Sequence, residues 1–453
     1  MTGRNILARL GAAIADWCER YFPDAFVFAM LAVVLVFVGG LALGEAPLDL
    51  ALAFGQGFWS LVTFTMQMAM VIIGGFVVAV SPPVSRLIAR LARIPSSPRA
   101  AVAFVALFAM LSSLISWGFS LIFSGLLVRA IAGRIKGLDF RALGAAAYLG
   151  LGSIWALGLS SSAALMMATP EAVPPELLRL TGVIPLSATL FTWQNLVMVL
   201  VLVGVSVAVA ALSCPPPELA RTALDLGVRF DAPTPPEEPA ARPADRLEHS
   251  RLLAYGVSAL GLAYLGLVLW DKGPLAAIDL NTYNILFLFL GLILHGQPRA
   301  FLNAVARAVP ATGGVLVQFP FYGGIFGMLT KTSMSHAIAT AFASLTTPHT
   351  FPLVVGVYSA VLGLFVPSGG GKWVIEAPYL MAAAQTHGTD LGWVVQIYNA
   401  AEALPNLLNP FWMLPLMGIL GVRARELAGF SILQLMIHTP IVLGLCWALS
   451  YTF

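Results

Sequence analysis

The stretch Pro367-Ser368-Gly369-Gly370-Gly371-Lys372-Trp373-Val374-Ile375 interrupts an otherwise apolar run over residues 351–387. Three consecutive glycines remove every Cβ and let the backbone approach a ligand or a neighbouring segment closely. A helix resuming near Trp373 aims its free N–H groups and the positive end of its dipole at the break, which makes an anion site. A flexible surface turn is the alternative. A glycine run inside so long an apolar segment fits a break at membrane depth better. Non-helical backbone is tolerated there only where protein buries it or a wet cavity meets it.

The same pattern occurs earlier in the chain. Residues 100–135 are apolar but interrupted by Ser112, Ser113, Ser116, Trp117 and Gly118. Two readings compete, two full spans or a re-entrant hairpin; short arms and basic flanks favour the hairpin. S-W-G-F-S-L-I-F at 116–123 lies over S-G-G-G-K-W-V-I at 368–375. M-Q-M-A-M-V-I-I-G-G-F at 66–76 resembles V-Q-F-P-F-Y-G-G-I-F at 317–326, and G-L-S-S-S-A-A-L-M-M-A at 158–168 lies over L-N-P-F-W-M-L-P-L-M-G at 408–418. Identity is weak, but the order is shared: span, span, hairpin, broken span, span. Inverted repeats with broken helices near mid-membrane are a signature of secondary transporters.

Composition agrees. The 453 residues are 59% hydrophobic and 10% charged, with a mean hydropathy of +0.89. Soluble domains carry about 25% charged residues, so most of this surface must face lipid. The net charge of +3 is small and its basic residues sit between apolar runs, which argues against a nucleic-acid partner. Cys18, Cys214 and Cys446 are far apart, so neither a disulfide framework nor a zinc site is expected. The N-terminus does not read as a cleaved signal peptide, because Arg4, Arg9, Asp16, Glu19 and Arg20 interrupt it.

A spanning helix needs roughly 20 mostly apolar residues. The reading is an N-terminal repeat over 1–213, with spans 21–43, 54–83, 142–168 and 183–213 and a hairpin at 100–135. A proline-rich cytoplasmic linker follows at 214–250, too polar to order itself well. Residues 251–453 hold an extra span at 251–270 and a second repeat, with spans 278–296, 304–330, 391–420 and 427–452 and a hairpin at 351–387. Orientation follows from Lys and Arg placement. With the N-terminus in the cytoplasm and both broken regions re-entrant, 20 of the 24 basic residues fall inside. Arg179, Lys272 and Lys331 fall outside, Lys372 lies in the second hairpin, and the C-terminus ends outside. The predicted fold class is an all-α polytopic membrane protein of two inverted repeats, each with a re-entrant helical hairpin and a broken transmembrane helix.

The candidate substrate and ion residues cluster at the breaks. The first hairpin offers Ser116, Trp117, Gly118 and Phe119; the second offers Ser368, Gly369, Gly370, Gly371, Lys372 and Trp373. Lys372 pairs with Glu376, one helical turn on, or attracts the substrate carboxylate or joins in proton coupling, and both readings can hold in different states. The broken spans supply Ser160, Ser161 and Ser162 in one repeat and Glu402, Asn406 and Asn409 in the other, beside Pro405 and Pro410, which free carbonyls. Serine hydroxyls and carbonyls suit a hard cation or a carboxylate, and Ser116, Ser368 and Asn406 are the candidate Na⁺ positions. Bonding back to their own helix is the alternative for such serines. Glu402 is a proton carrier or cation ligand unless it lies near the outer surface. Gln67 and Gln318 read as polar glue between helices. Trp117, Phe119, Trp373 and Phe411 are candidates to wall an apolar tail.

P-S-G-G-G-K-W-V-I at 367–375, N-P-F-W at 409–412, G-F-W-S-L at 57–61, V-Q-F-P-F-Y-G-G-I at 317–325 and F-P-D-A-F-V-F-A-M-L at 22–31 resemble the short-chain fatty acid transporter family. The resemblance covers essentially the whole chain. It implies uptake of short acids such as acetoacetate and butyrate. It also implies kinship with the ion transporter superfamily: paired hairpins, an elevator-type homodimer and substrate and ion sites at the four breaks. One departure is Lys372, where the family tends to have histidine. A lysine titrates far higher unless desolvated, which puts a histidine-style proton switch in doubt. The expectation is a bacterial inner-membrane symporter of a small monocarboxylate, driven by H⁺ or Na⁺, with no cofactor and no enzymatic activity. A dicarboxylate carrier, a channel and a membrane-embedded enzyme are the rivals. A second carboxylate would call for a second cation, and the sequence supplies no H-E-x-x-H.

Overall fold

The computed structural model describes residues 25–228, 242–273, 277–365 and 368–453. Cys18, the start of the first span, the middle of the linker and Pro367 lie outside them, as do the side chains of Pro410 and Phe411. Among the described residues every regular element is helical. The first repeat runs α1 (Ala25–Ala42), α2 (Pro47–Gly57), α3 (Val62–Ala79), α4 (Pro82–Leu91), α5 (Pro98–Ile115), α6 (Trp117–Ala132), α7 (Phe140–Leu149), α8 (Ser162–Ala168), α9 (Pro175–Thr181) and α10 (Trp193–Ser213). A connecting helix, α11 (Arg251–Lys272), leads to α12 (Leu280–His295), α13 (Pro298–Ala308), α14 (Gly313–Thr330) and α15 (Met334–Leu345). Then come α16 (Phe351–Phe365), α17 (Gly369–His387), α18 (Leu391–Asn406), α19 (Pro410–Leu420) and α20 (Ala424–Leu449).

Local sequence sets many of these ends. Pro47, Pro82, Pro98 and Pro298 open α2, α4, α5 and α13, where a missing N–H costs nothing. Ser97, Thr192, Ser250 and Asp390 cap α5, α10, α11 and α18 by accepting the backbone N–H three residues on. Asp139 caps α7 and also takes the Arg221 amide at 3.0 Å, which ties the start of the linker to that helix.

The repeats interlock. α3 packs on α6, the second arm of the first hairpin, and on α12 of the other repeat; its counterpart α14 packs on α17 and on α1. The short amphipathic helices follow the same exchange, α2 against α14 and α13 against α3. At the closest point a Cβ on Gly57 would lie 2.7 Å from the Cα of Gly327, so only glycine fits. The apolar window within the α7–α8 segment, Phe140–Ala168, is 89% buried, whereas the windows over α10 and α11 are 22% buried. The broken segment is therefore the centre, and α10 and α11 are rim helices with apolar side chains left for lipid. Seven helices are long and apolar enough to cross a membrane among the described residues. The protein is an integral membrane protein.

Two breaks fall inside runs that read as spans: 54–83, long enough to be tilted or broken, and 142–168, which reads as broken. The run over 54–83 is shared by α2, α3 and α4, with a turn at residues 58–61. The first break begins earlier than Ser160: Gly150–Ile154 is a π-turn, Trp155–Leu157 a 3₁₀ turn, and α8 starts only at Ser162. Such widened turns are typical of functional sites inside helices.

Candidate functional site

Ser116 and Ser368 occupy matching posts. Each is extended, at φ/ψ −155°/115° and −154°/104°, and each begins the second arm of a hairpin. Ser116 Oγ accepts the Phe119 amide at 3.3 Å and Ser368 Oγ accepts the Gly371 amide at 3.1 Å. An anion at the α17 end would therefore meet the first two amides, those of Gly369 and Gly370.

The glycines of the second tip are crowded by large rings. A Cβ on Gly369 would strike Trp155, one on Gly370 would sit 2.6 Å from Phe64 Cζ and 3.1 Å from Ser162 Cβ, and one on Gly371 would strike Tyr322. Close backbone approach is thus the local reason for the three glycines. The first tip rests on α3 as well, but elsewhere: a Cβ on Gly75 would lie 2.7 Å from Ser116 Oγ, and Gly118 faces Ile72. Phe64 and Ile72 are eight residues apart, about 12 Å of helix rise, so the tips rest on different turns of α3.

The broken helices meet between them. Tyr148 donates to the Asn406 carbonyl at 2.8 Å, and Ser161 donates to Asn399 Oδ1 at 3.0 Å. A Cβ on Gly152, inside the π-turn, would be 2.9 Å from Leu407 at the other break. Ser160 donates instead to the Ser113 carbonyl of the first hairpin. Asn406 is 1% exposed, and neither side-chain polar atom has a partner among the described residues. Asn409 is buried just before α19.

Lys372 forms the ion pair with Glu376 in this structure. Its Nζ lies 2.9 Å from Glu376 Oε1, 3.1 Å from the Ser359 carbonyl and 4.2 Å above the Tyr398 ring. Ser359 Oγ donates to the other Glu376 oxygen, and Tyr398 donates to the Gly369 carbonyl. Lys372 lies on α17 and Glu402 on α18, two helices that pack together. Glu402 is buried, not solvated at the surface.

The aromatic candidates do not form one wall. Trp117 packs edge-on against Trp412, Phe119 stacks on Phe123, and Trp373 is fully buried against Tyr398. Gln67 bridges α3 to α12: its side-chain amide donates to Asn281 at 2.8 Å and its backbone carbonyl accepts from Asn284 at 2.9 Å. Gln318 accepts from Tyr322 within α14. Tyr148, Trp155, Tyr322, Tyr398 and Asn399 are the residues that sequence reasoning passed over. The glycines of Gly150-Leu151-Gly152 were the available signal for the first of these sites.

The profile of the short chain fatty acid transporter family matches residues 6–449. The chain belongs to the short-chain fatty acid transporter family. Similar proteins include one from Haemophilus influenzae, 33% identical over 450 residues, which span 97% of this chain and 99% of that one. Another, from Escherichia coli K12, is 35% identical over 446 residues, again 97% and 99%. Both carry names for short-chain fatty acid transport. Two solved structures share the fold. One is the YdaH transporter of Alcanivorax borkumensis, described as having an unusual topology: TM-score 0.61, 18% identity, covering 93% of this chain and 98% of that one. The other is MtrF of Neisseria gonorrhoeae, from a class described as antimetabolite efflux pumps: TM-score 0.55, 15% identity, 97% and 96%. Members of the short-chain fatty acid transporter family are transporters, not enzymes.

Proposed function

We propose that this protein is a secondary active carrier of short-chain fatty acids and related small monocarboxylates in the bacterial inner membrane. Uptake is coupled to H⁺ or Na⁺ and proceeds by elevator-like movement of the hairpins and broken helices within a homodimer, with the N-terminus inside and the C-terminus outside. The observation that carries the reading is the matched pair Ser116 and Ser368, each capping a buried helix start beside the crossing of the two breaks. Helix N-terminal amides, hydroxyls and Lys372 suit one carboxylate head. Lys372 already has Glu376 as its counter-ion. That favours one substrate charge over two and weighs against the dicarboxylate reading.

The test is initial-rate uptake into proteoliposomes, corrected for protein-free vesicles, over a panel of C2 to C6 acids with Na⁺ and pH gradients imposed separately. Saturable uptake against a gradient is expected, and flux that never saturates would indicate a channel. Lys372→Ala should lower butyrate uptake at least tenfold. Unchanged uptake would remove Lys372 from the mechanism.

A further inference from the structure

Glu402 lies in α18 at 1% exposure, and neither carboxylate oxygen has a hydrogen-bond partner among the described residues. The charges that act on it are those of Lys372 and Glu376 on α17, and these two already pair with each other. The cluster therefore holds one cation and two carboxyl groups in a dry interior. An ionised carboxylate without a donor is strongly disfavoured there, whereas the neutral acid avoids that cost.

The tyrosines and histidines on elements packed against α18 are engaged elsewhere. Tyr148 on α7 donates to Asn406, and Tyr398 on α18 itself donates to Gly369. Tyr358 on α16 and Tyr379 on α17 bond to each other. His387 on α17 meets Thr346, and His438 on α20 meets Ser206 of α10. Cys446 is a buried free thiol on α20, and Glu426 stands in the first turn of that helix.

We propose that Glu402 carries the proton that accompanies the anion, one proton per anion, so that transport is electroneutral. The proposal rests on the reading of the protein as an anion carrier. With Glu402 ionised, the Lys372–Glu376–Glu402 cluster is net negative and opposes a carboxylate arriving at the Ser368–Gly371 end of α17. A proton on Glu402 removes that charge. Anion binding and protonation therefore favour each other by the same factor. The proton joins a Glu402 oxygen on the side where the anion enters and leaves it where the anion is released. No bond within the anion changes.

The test is titration calorimetry of the purified full-length protein with butyrate, between pH 6 and pH 9, in buffers of different ionisation enthalpy. The wild type is expected to take up one proton per anion at the alkaline end, where its Kd should rise about tenfold per pH unit. Glu402→Gln keeps the neutral shape; it should bind butyrate without proton uptake and with a Kd that does not change with pH. Wild-type binding without proton uptake anywhere in this range overturns the proposal, and that result needs no variant to fold. Proton uptake by Glu402→Gln equal to that of the wild type also overturns it. Failure of the carrier reading looks different: no C2 to C6 acid binds the wild type at all, and this proposal falls with it.

Discussion

The Lys372 ammonium and the Glu376 carboxylate lie 2.9 Å apart on successive turns of α17, with both side chains fully buried. Removing one member strands the other as an unpaired interior charge, at a cost of about 3–5 kcal/mol. Lys372→Met alone and Glu376→Gln alone should each lower the melting temperature in detergent. The double variant should be more stable than either single one, because it strands nothing. Additive losses would show that the pair is not coupled.

Gly371→Ala should stall the second hairpin. Its new Cβ would strike the buried Tyr322 ring, and overpacking of this kind costs about 1–3 kcal/mol. Butyrate uptake should fall at least tenfold while the protein still inserts and purifies. The same change at Gly204 has nothing within 4 Å to meet, and there uptake should be normal.

The bond from Ser161 to Asn399 joins the two broken helices, one from each repeat. Ser161→Ala also removes the cap on α8, with a summed loss of about 1–3 kcal/mol. A double-mutant cycle with Asn399→Ala in thermal denaturation should return a coupling of about 0.5–1.5 kcal/mol. A coupling near zero would mean that the contact does not hold the crossing.

Glu45, in the turn after α1, accepts from the amide of Ser333, in the turn before α15, at 2.8 Å, and from its hydroxyl. These bonds hold the exposed carboxyl below its usual value of 4.5. A depressed native value means that the link is complete above about pH 4.5 and is lost as pH falls through the lower native value. The protection of the Ser333 amide, its exchange measured against the intrinsic rate at each pH, should therefore fall on acidification. Glu45→Ala, which has no side-chain acceptor, should leave that amide unprotected across the same range.

What the sequence revealed was local chemistry. Ser116 and Ser368 could be matched because a serine before a helix start, inside an apolar run, has few other uses. The fold class followed from those two positions and the shared order of elements. The Lys372–Glu376 pair was legible as one of two options because its spacing is one helical turn. Tyr398 was not legible: it sits in an apolar helical stretch, and nothing local shows that its ring underlies Lys372 or that its hydroxyl reaches Gly369. Phe64 and Tyr322 were hidden for the same reason, since their partners are distant in sequence. The π-turn at Gly150–Ile154 leaves the hydrophobic pattern unbroken, so the first break was placed at the serines that follow it. The turn at 58–61 falls in Phe58-Trp59-Ser60-Leu61, which is almost as apolar as the helices on either side.

The glycine contact between α2 and α14, with the exchange of α1 and α12 across the repeats, means that neither repeat completes its own core. A polypeptide of half this length would leave the seats for those helices open, and α11 is the connection that lets one chain fill both sets.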